Sequence, residues 1–130
     1  MKIYGKSMRT IWVADDSWGV EIIDQTKLPF EVKTRTLRSW QEAATAIRDM
    51  IVRGAPLIGA TGAYGLALAM REDSSDENLE RAYTTLLATR PTAVNLRWGL
   101  DDLKDRLIKI APSERMGLAY RRAAEICDED

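Results

Sequence analysis

The run Ala55-Pro-Leu-Ile-Gly-Ala-Thr-Gly-Ala-Tyr-Gly-Leu-Ala-Leu-Ala-Met70 constrains this chain more than any other segment, because it is 16 residues long and carries no charge. It is too short and too rich in small residues to span a bilayer, which takes about 20 apolar residues in helix. Read as a helix from about Pro56 to Arg71, it is apolar almost all round, and such a helix belongs at the centre of a domain. Gly59, Gly62 and Gly65 recur at intervals of three on one side of it. A helical glycine costs up to about 1 kcal/mol relative to alanine, so three in a row point either to the close approach of another backbone or to the packing of a crowded core.

The flanking segments supply what such a helix needs around it. Thr10-Ile-Trp-Val13 and Val20-Glu-Ile-Ile-Asp24 are apolar and β-branched, with turn chemistry at Asp15-Asp-Ser-Trp-Gly19 between them. Phe30-Glu-Val-Lys-Thr-Arg-Thr-Leu37 alternates with period two, as a strand covered on one face does. Three antiparallel strands are expected. From Ser39 the period turns helical: Ser39 with Glu42 forms a capping box, and Ala43, Ala44, Ile47, Met50 and Ile51 mark an apolar stripe ending near Arg53-Gly54. Ser74 with Glu77 is expected to cap a third helix over about Asp76 to Thr89. Pro91 opens a fourth that runs to about Ile110, and Ala111-Pro-Ser113 breaks it and caps a fifth. The fold class is therefore α+β: an N-terminal three-stranded antiparallel sheet over about 1–37, then a bundle of about five helices over about 38–130, in one domain. The fifth helix reaches Cys127-Asp-Glu-Asp130 with acidic residues that oppose its dipole and no stop signal, so the chain is expected to be an N-terminal piece of a longer protein.

Composition narrows the chemistry. Nineteen basic against twenty acidic side chains leave a net charge of −1, and no basic excess recruits a nucleic acid backbone or an anionic membrane. No charged-then-apolar signal segment opens the chain, and a cytoplasmic location is expected. The absence of histidine removes the commonest general base, any Ser–His pairing and most zinc sites. Cys127, the single cysteine, cannot form an internal disulfide and has no cysteine or histidine partner for a metal, which leaves it as an apolar filler near a helix end or as a lone nucleophile.

Two places carry recognisable binding grammar. Arg53-Gly-Ala55 sits where Pro56 begins a helix, and Arg90-Pro-Thr92 repeats the pattern at the mouth of another. Helix starts expose unpaired N–H groups, and a guanidinium beside them outlines an anion site. Two such mouths can face one phosphorylated ligand, with Thr92 or Asn95 donating to its hydroxyls. The plainer reading makes each a helix joint with a surface arginine, and the residues alone leave both open. Trp12, Trp18, Trp40 and Trp98 can wall an apolar pocket, or serve separately in core and interface. Asp15, Asp16 and Asp24 fit turn formers better than a carboxylate pair, and Asp101-Asp-Leu-Lys-Asp105 has the charge pairing of an exposed helix.

Three segments carry a family resemblance: Ile23-Asp-Gln-Thr-Lys-Leu-Pro29, Ile47-Arg-Asp-Met-Ile-Val-Arg-Gly-Ala-Pro-Leu-Ile-Gly59 and Arg90-Pro-Thr-Ala-Val-Asn-Leu-Arg-Trp98. In that order they closely resemble the N-terminal domain of the methylthioribose-1-phosphate isomerases of methionine salvage, and the resemblance covers essentially the whole chain. It implies conversion of an aldose 1-phosphate to the ketose 1-phosphate, with a substrate loop on Arg53, Gly54 and Ala55 and a second substrate-binding arginine at Arg90. It implies no cofactor and no metal, and a homodimer for the full-length protein. The family's catalytic cysteine and aspartate stand in a Rossmann-like C-terminal domain that this chain does not contain, so no catalytic residue is assigned here. Cys127, in Ile-Cys-Asp, does not match the Thr-x-Cys-Asn-like context of the family nucleophile. Ribose-1,5-bisphosphate isomerase and the regulatory subunits of the translation-initiation exchange factor share the implied fold, and a non-catalytic regulatory module is the rival expectation.

Overall fold

A computed structural model describes residues 2–3, 6–7, 11–14, 18–23, 33–49, 51–52 and 55–128, with the backbone alone described at 2–3, 6–7, 55–56 and 128. Strands β1 (Lys2–Ile3) and β2 (Lys6–Ser7) pair as a short antiparallel hairpin, which the sequence did not signal. Strands β3 (Ile11–Val13), β4 (Val20–Ile23) and β5 (Thr34–Leu37) form the expected antiparallel sheet, in the order β3-β4-β5. Register explains its two faces. Ile11 stands opposite Ile22 and Val20 opposite Leu37, and all four are buried. On the other face Glu21 lies between Trp12 and Thr36, accepting from Trp12 Nε1 at 2.9 Å and from Thr36 Oγ1 at 3.3 Å. Such cross-strand pairs each contribute about 0.2–1 kcal/mol.

Helix α1 (Trp40–Arg48) begins as the capping box requires: Ser39 Oγ accepts from the Glu42 amide at 3.1 Å, and the Glu42 carboxylate accepts from the Arg38 amide at 3.0 Å. It ends short of Arg53-Gly54, however. The amides of Ile51 and Val52 both turn back to the Ala46 carbonyl, which puts Val52 fully into the core. Burial of Val52, with Ile51 packed half-buried beside it, outweighs continuation of the helix through two β-branched residues of poor helix propensity.

Helix α2 (Ala55–Glu72) is the centre of the bundle, and every residue from 57 to 70 is buried. The other four helices pack around it. Thr61 in its interior donates to the Leu57 carbonyl one turn back at 2.7 Å, so its hydroxyl is not left unpaired in the core. The glycines serve two neighbours. Gly59 and Gly62 face the helix over Val94–Leu107, whereas a Cβ on Gly65 would meet Leu86 Cδ1 at 3.0 Å, on the helix over Asp76–Thr89, and Ala43 Cβ at 3.2 Å, on α1.

Helix α3 (Asp76–Thr89) is capped by Ser75, one residue later than expected; its Oγ accepts from the Asn78 amide at 3.2 Å. Buried Asn78 ties the two helices, donating to the Ala69 carbonyl of α2 at 3.0 Å and to the Asp73 carbonyl at 2.9 Å. Helix α4 (Val94–Leu107) starts at Val94 because residues 90–93 form a turn closed by the Ala93 amide on the Arg90 carbonyl at 3.0 Å, so Pro91 belongs to the turn. It ends at Leu107, short of the expected Ile110. Helix α5 (Pro112–Asp128) starts at Pro112, inside the Ala111-Pro-Ser113 segment expected to break α4 and cap the fifth helix. Among the described residues no helix is long and apolar enough to cross a membrane.

Tyr83 of α3 donates a hydrogen bond to Asp101 of α4, and Lys104 stands 4.2 Å over its ring while pairing with Glu80 at 2.6 Å. That hydrogen bond to Asp101, then burial, pushes the Tyr83 hydroxyl up from 10.0 to about 12. The folded state holds this proton where an unfolded tyrosine has lost it, so the stabilisation is intact below pH 10 and is lost as pH rises from 10 to about 12. Tyr83→Phe is expected to flatten the fall in unfolding free energy across that window, as measured by urea titrations at stepped pH. A second expectation concerns α2. A Cβ at Gly62 would already lie 2.6 Å from Leu96 Cδ1, so Gly62→Leu should destabilise the fold by about 1–3 kcal/mol, read as a lowered denaturation midpoint.

Candidate functional site

The relation between α2 and α4 decides whether the two helix mouths share a site. A Cβ on Gly59 would meet the backbone of Asn95, and one on Gly99 the backbone of Gly59; a Cβ on Gly62 would meet Leu96 and Leu100. Contacts advance along both helices together, so the two run in the same sense across this contact. Their far ends agree. The buried guanidinium of Arg115, on α5, donates through Nε to the Leu107 carbonyl, where α4 ends, and through Nη1 to the Ser74 carbonyl, two residues past the end of α2, both at 2.9 Å. It also pairs with Asp76 at 2.6 Å. Both C-terminal ends therefore meet one cation, and both N-terminal ends, with the positive ends of their dipoles, lie at the opposite pole.

Of the expected site residues, Arg53 and Gly54 lie outside the described residues, and Ala55 is the first residue of α2. Arg90 caps the C-terminus of α3, at the turn that leads into α4, with extended φ and ψ of −146° and 77°. It is half-buried, and its guanidinium makes no hydrogen bond or ion pair among the described residues. Thr92 and Asn95 are exposed at the same mouth, and α4 opens on Ala93 without a side-chain cap, which leaves its first amides unclaimed by a capping side chain. The structure thus brings the start of α2 and the Arg90 turn to one end of the bundle. The arrangement suits an anion with hydroxyl groups beside it.

The other candidates go elsewhere. Trp40 is in the core of α1, Trp12 binds Glu21, Trp18 is stacked by Arg71 at 3.8 Å and Arg38 at 5.2 Å, and Trp98 is 49% exposed with Arg122 6.0 Å from its ring. They have separate surroundings and form no common wall. Asp15, Asp16 and Asp24 lie outside the described residues. Asp102 pairs with Arg106 one turn on at 3.2 Å, the exposed helical pairing expected, and also with Arg122 of α5 at 2.8 Å. Cys127 is half-buried, its Sγ 3.9 Å from the Ile11 carbonyl, as a filler between α5 and the sheet. Among the described residues no group of three or more potential ligands could hold a metal ion. A cleft of about 440 Å³ between β5 and α1 is floored by Leu37, Ala46 and Ile51. Three polar groups on its walls are already engaged: Thr36 with Glu21, Glu42 in the cap, and Thr45 with Arg48.

Sequence reasoning missed Arg115, Asn78 and Gly99. Signals for two of them were present: Arg115 falls on the buried stripe of α5 with Ala119, Arg122 and Ile126, and Gly99 interrupts the leucine stripe Leu96, Leu100, Leu103 and Leu107.

Comparison with known proteins follows the same lines. The methylthioribose-1-phosphate isomerase of Rhodospirillum centenum is 59% identical over 130 residues, all of this chain and 35% of that protein. The chain spans about a third of the length of this curated relative. The crystal structure of 5-methylthioribose 1-phosphate isomerase from Pyrococcus horikoshii matches with a TM-score of 0.86 and 38% identity, covering 96% of this chain and 37% of that one. That of translation initiation factor eIF-2B, subunit delta, from A. fulgidus matches with a TM-score of 0.85 and 40% identity, covering 95% and 38%. Residues 51–130, which hold α2 to α5 and both helix mouths, match the model of the initiation factor 2 subunit family, and the chain belongs to that family.

Proposed function

We propose that this chain is the N-terminal, substrate-binding part of a methylthioribose-1-phosphate isomerase. One observation carries the reading: α2 and α4 run in the same sense, so the start of α2 at Ala55 and the Arg90 turn that leads into α4 lie at one end of the bundle. The 59% identity to the Rhodospirillum centenum isomerase supports the choice of substrate. In this reading residues 1–130 form one N-terminal unit, and the sugar phosphate is the ligand. Arg53, the amides of Gly54 and Ala55, and Arg90 grip its phosphate, a guanidinium offering two parallel hydrogen bonds to an oxyanion. Thr92 and Asn95 meet the sugar hydroxyls. The C1 phosphate prevents simple ring opening, so the hydrogen shift from C2 to C1 needs groups that act on a held, desolvated sugar. Those groups belong to a second domain of the same protein. The reading carries with it a cytoplasmic, homodimeric whole enzyme of methionine salvage that uses no cofactor.

The likeness to the A. fulgidus initiation-factor subunit favours a second reading, a regulatory module that uses the same fold for protein contacts. Ligand binding separates the two. Titration of methylthioribose 1-phosphate into the chain is expected to give saturable binding, and Arg90→Ala should weaken it by about 1.5–3 kcal/mol, the worth of a hydrogen bond to a charged group. Absence of any binding by calorimetry would favour the regulatory module. The chain alone is expected to form no ketose 1-phosphate; turnover that survives Cys127→Ala would place catalytic groups in this part after all.

A further inference from the structure

Helices α2 and α4 approach each other through their backbones at one point. A Cβ on Gly59 would stand 2.8 Å from the Asn95 carbonyl oxygen, and a Cβ on Gly99 would stand 2.9 Å from the Gly59 carbonyl oxygen. The contact is reciprocal, and on each side the obstacle is backbone, which cannot swing away as a side chain can. Adding one methyl group to either residue must move one helix relative to the other. Ordinary helix pairs keep their axes about 8–10 Å apart, a spacing set by the side chains between them. Here that layer is missing.

The position of the contact gives it a use. Gly59 is four residues into α2, about 6 Å from its start at a rise of 1.5 Å per residue, and Asn95 is in the first turn of α4. The crossing therefore lies within about one turn of both helix openings, and any change in separation there passes to the openings almost undiminished. Core packing alone does not ask for this location, since a glycine crossing midway along α2 would pack the bundle as well. Gly65 marks the contrast: the atoms its Cβ would meet belong to the side chains of Leu86 and Ala43, not to the backbone of α4.

We propose that Gly59 and Gly99 are positioning residues of the anion site, setting the gap between the two helix openings so that the amides of both and the Arg90 guanidinium reach one phosphate. The proposal rests on the sugar-phosphate reading above and adds to it the device that fixes the site's width. Neither glycine touches the ligand.

The test follows amide signals of the chain by NMR while inorganic phosphate, and separately methylthioribose 1-phosphate, is added. In the wild type, signals that open α2 and signals from Val94 to Arg97 are expected to shift with one common dissociation constant. Gly99→Ala is expected to weaken binding about tenfold or more, because displacement of binding groups by a fraction of an ångström is felt strongly in an oriented site. Gly65→Ala, whose added methyl group meets side chains and no α4 backbone, is expected to bind within about twofold of the wild type by the same reasoning. Wild-type affinity in folded Gly99→Ala, or equal weakening in Gly65→Ala, overturns the positioning role while leaving the site itself standing. If Gly99→Ala does not fold, the wild type decides: different dissociation constants at the two openings overturn the proposal. A wild type that binds neither ligand overturns the sugar-phosphate reading, and this inference with it.

Discussion

A helix with no polar face cannot lie on a surface, and the rest of the structure answers that constraint. Residues 57–70 of α2 are buried throughout, so four helices are required to surround it. Each buried Leu, Ile or Met contributes about 1.5–3 kcal/mol, which makes this helix the largest single source of core burial in the bundle. The surrounding helices need few polar ties as a result. Those present stand where chain segments change direction: Asn78 between α2 and α3, Tyr83 and Asp101 between α3 and α4, and Arg115 where α3, α4 and α5 converge. Each joins elements whose order the apolar core alone would not fix, since leucine against leucine specifies contact but little direction.

Legibility from the sequence followed how local the determining physics is. The Ser39–Glu42 cap, the break between α4 and α5 at Ala111-Pro-Ser113 and the all-apolar character of α2 depend on neighbours within a turn, and all were readable. The errors lie where tertiary burial competes with propensity. Val52 has a better place in the core than in an extended α1, and Pro91, a good first helical residue by itself, instead closes a turn on Arg90. Ser75 displaces Ser74 as cap because the Ser74 carbonyl is held by Arg115, 41 residues away, which no local window contains.

The candidate site shows the same division. Periodicity announced two arginines at two helix mouths, yet it carried no information about whether those mouths face together. That depends on the relative sense of α2 and α4, and the deciding residues are Gly59, Gly99 and Arg115, none of which belongs to the Arg-Gly-Ala or Arg-Pro-Thr segments. The tryptophans illustrate the opposite failure. Residue type suggested a common pocket, whereas burial and partners send Trp40 inward, stack Trp18 between arginines and leave Trp98 half in solvent.

The shared sense of α2 and α4 has an electrostatic consequence. Side by side with poles aligned, two helix dipoles repel, each acting as about half a positive charge at one end and half a negative charge at the other. Arg115 relieves the negative pole, its guanidinium bonded to carbonyls at or just beyond both helix ends and shielded from water that would otherwise screen it. At the positive pole α4 opens on Ala93 without a side-chain cap. The negative pole is thus tied by a buried cation, while the start of α4 keeps its dipole end without a capping side chain. An anion that settles there completes the charge balance of the fold itself, so occupancy and cohesion of the α2–α4 pair become two views of one interaction.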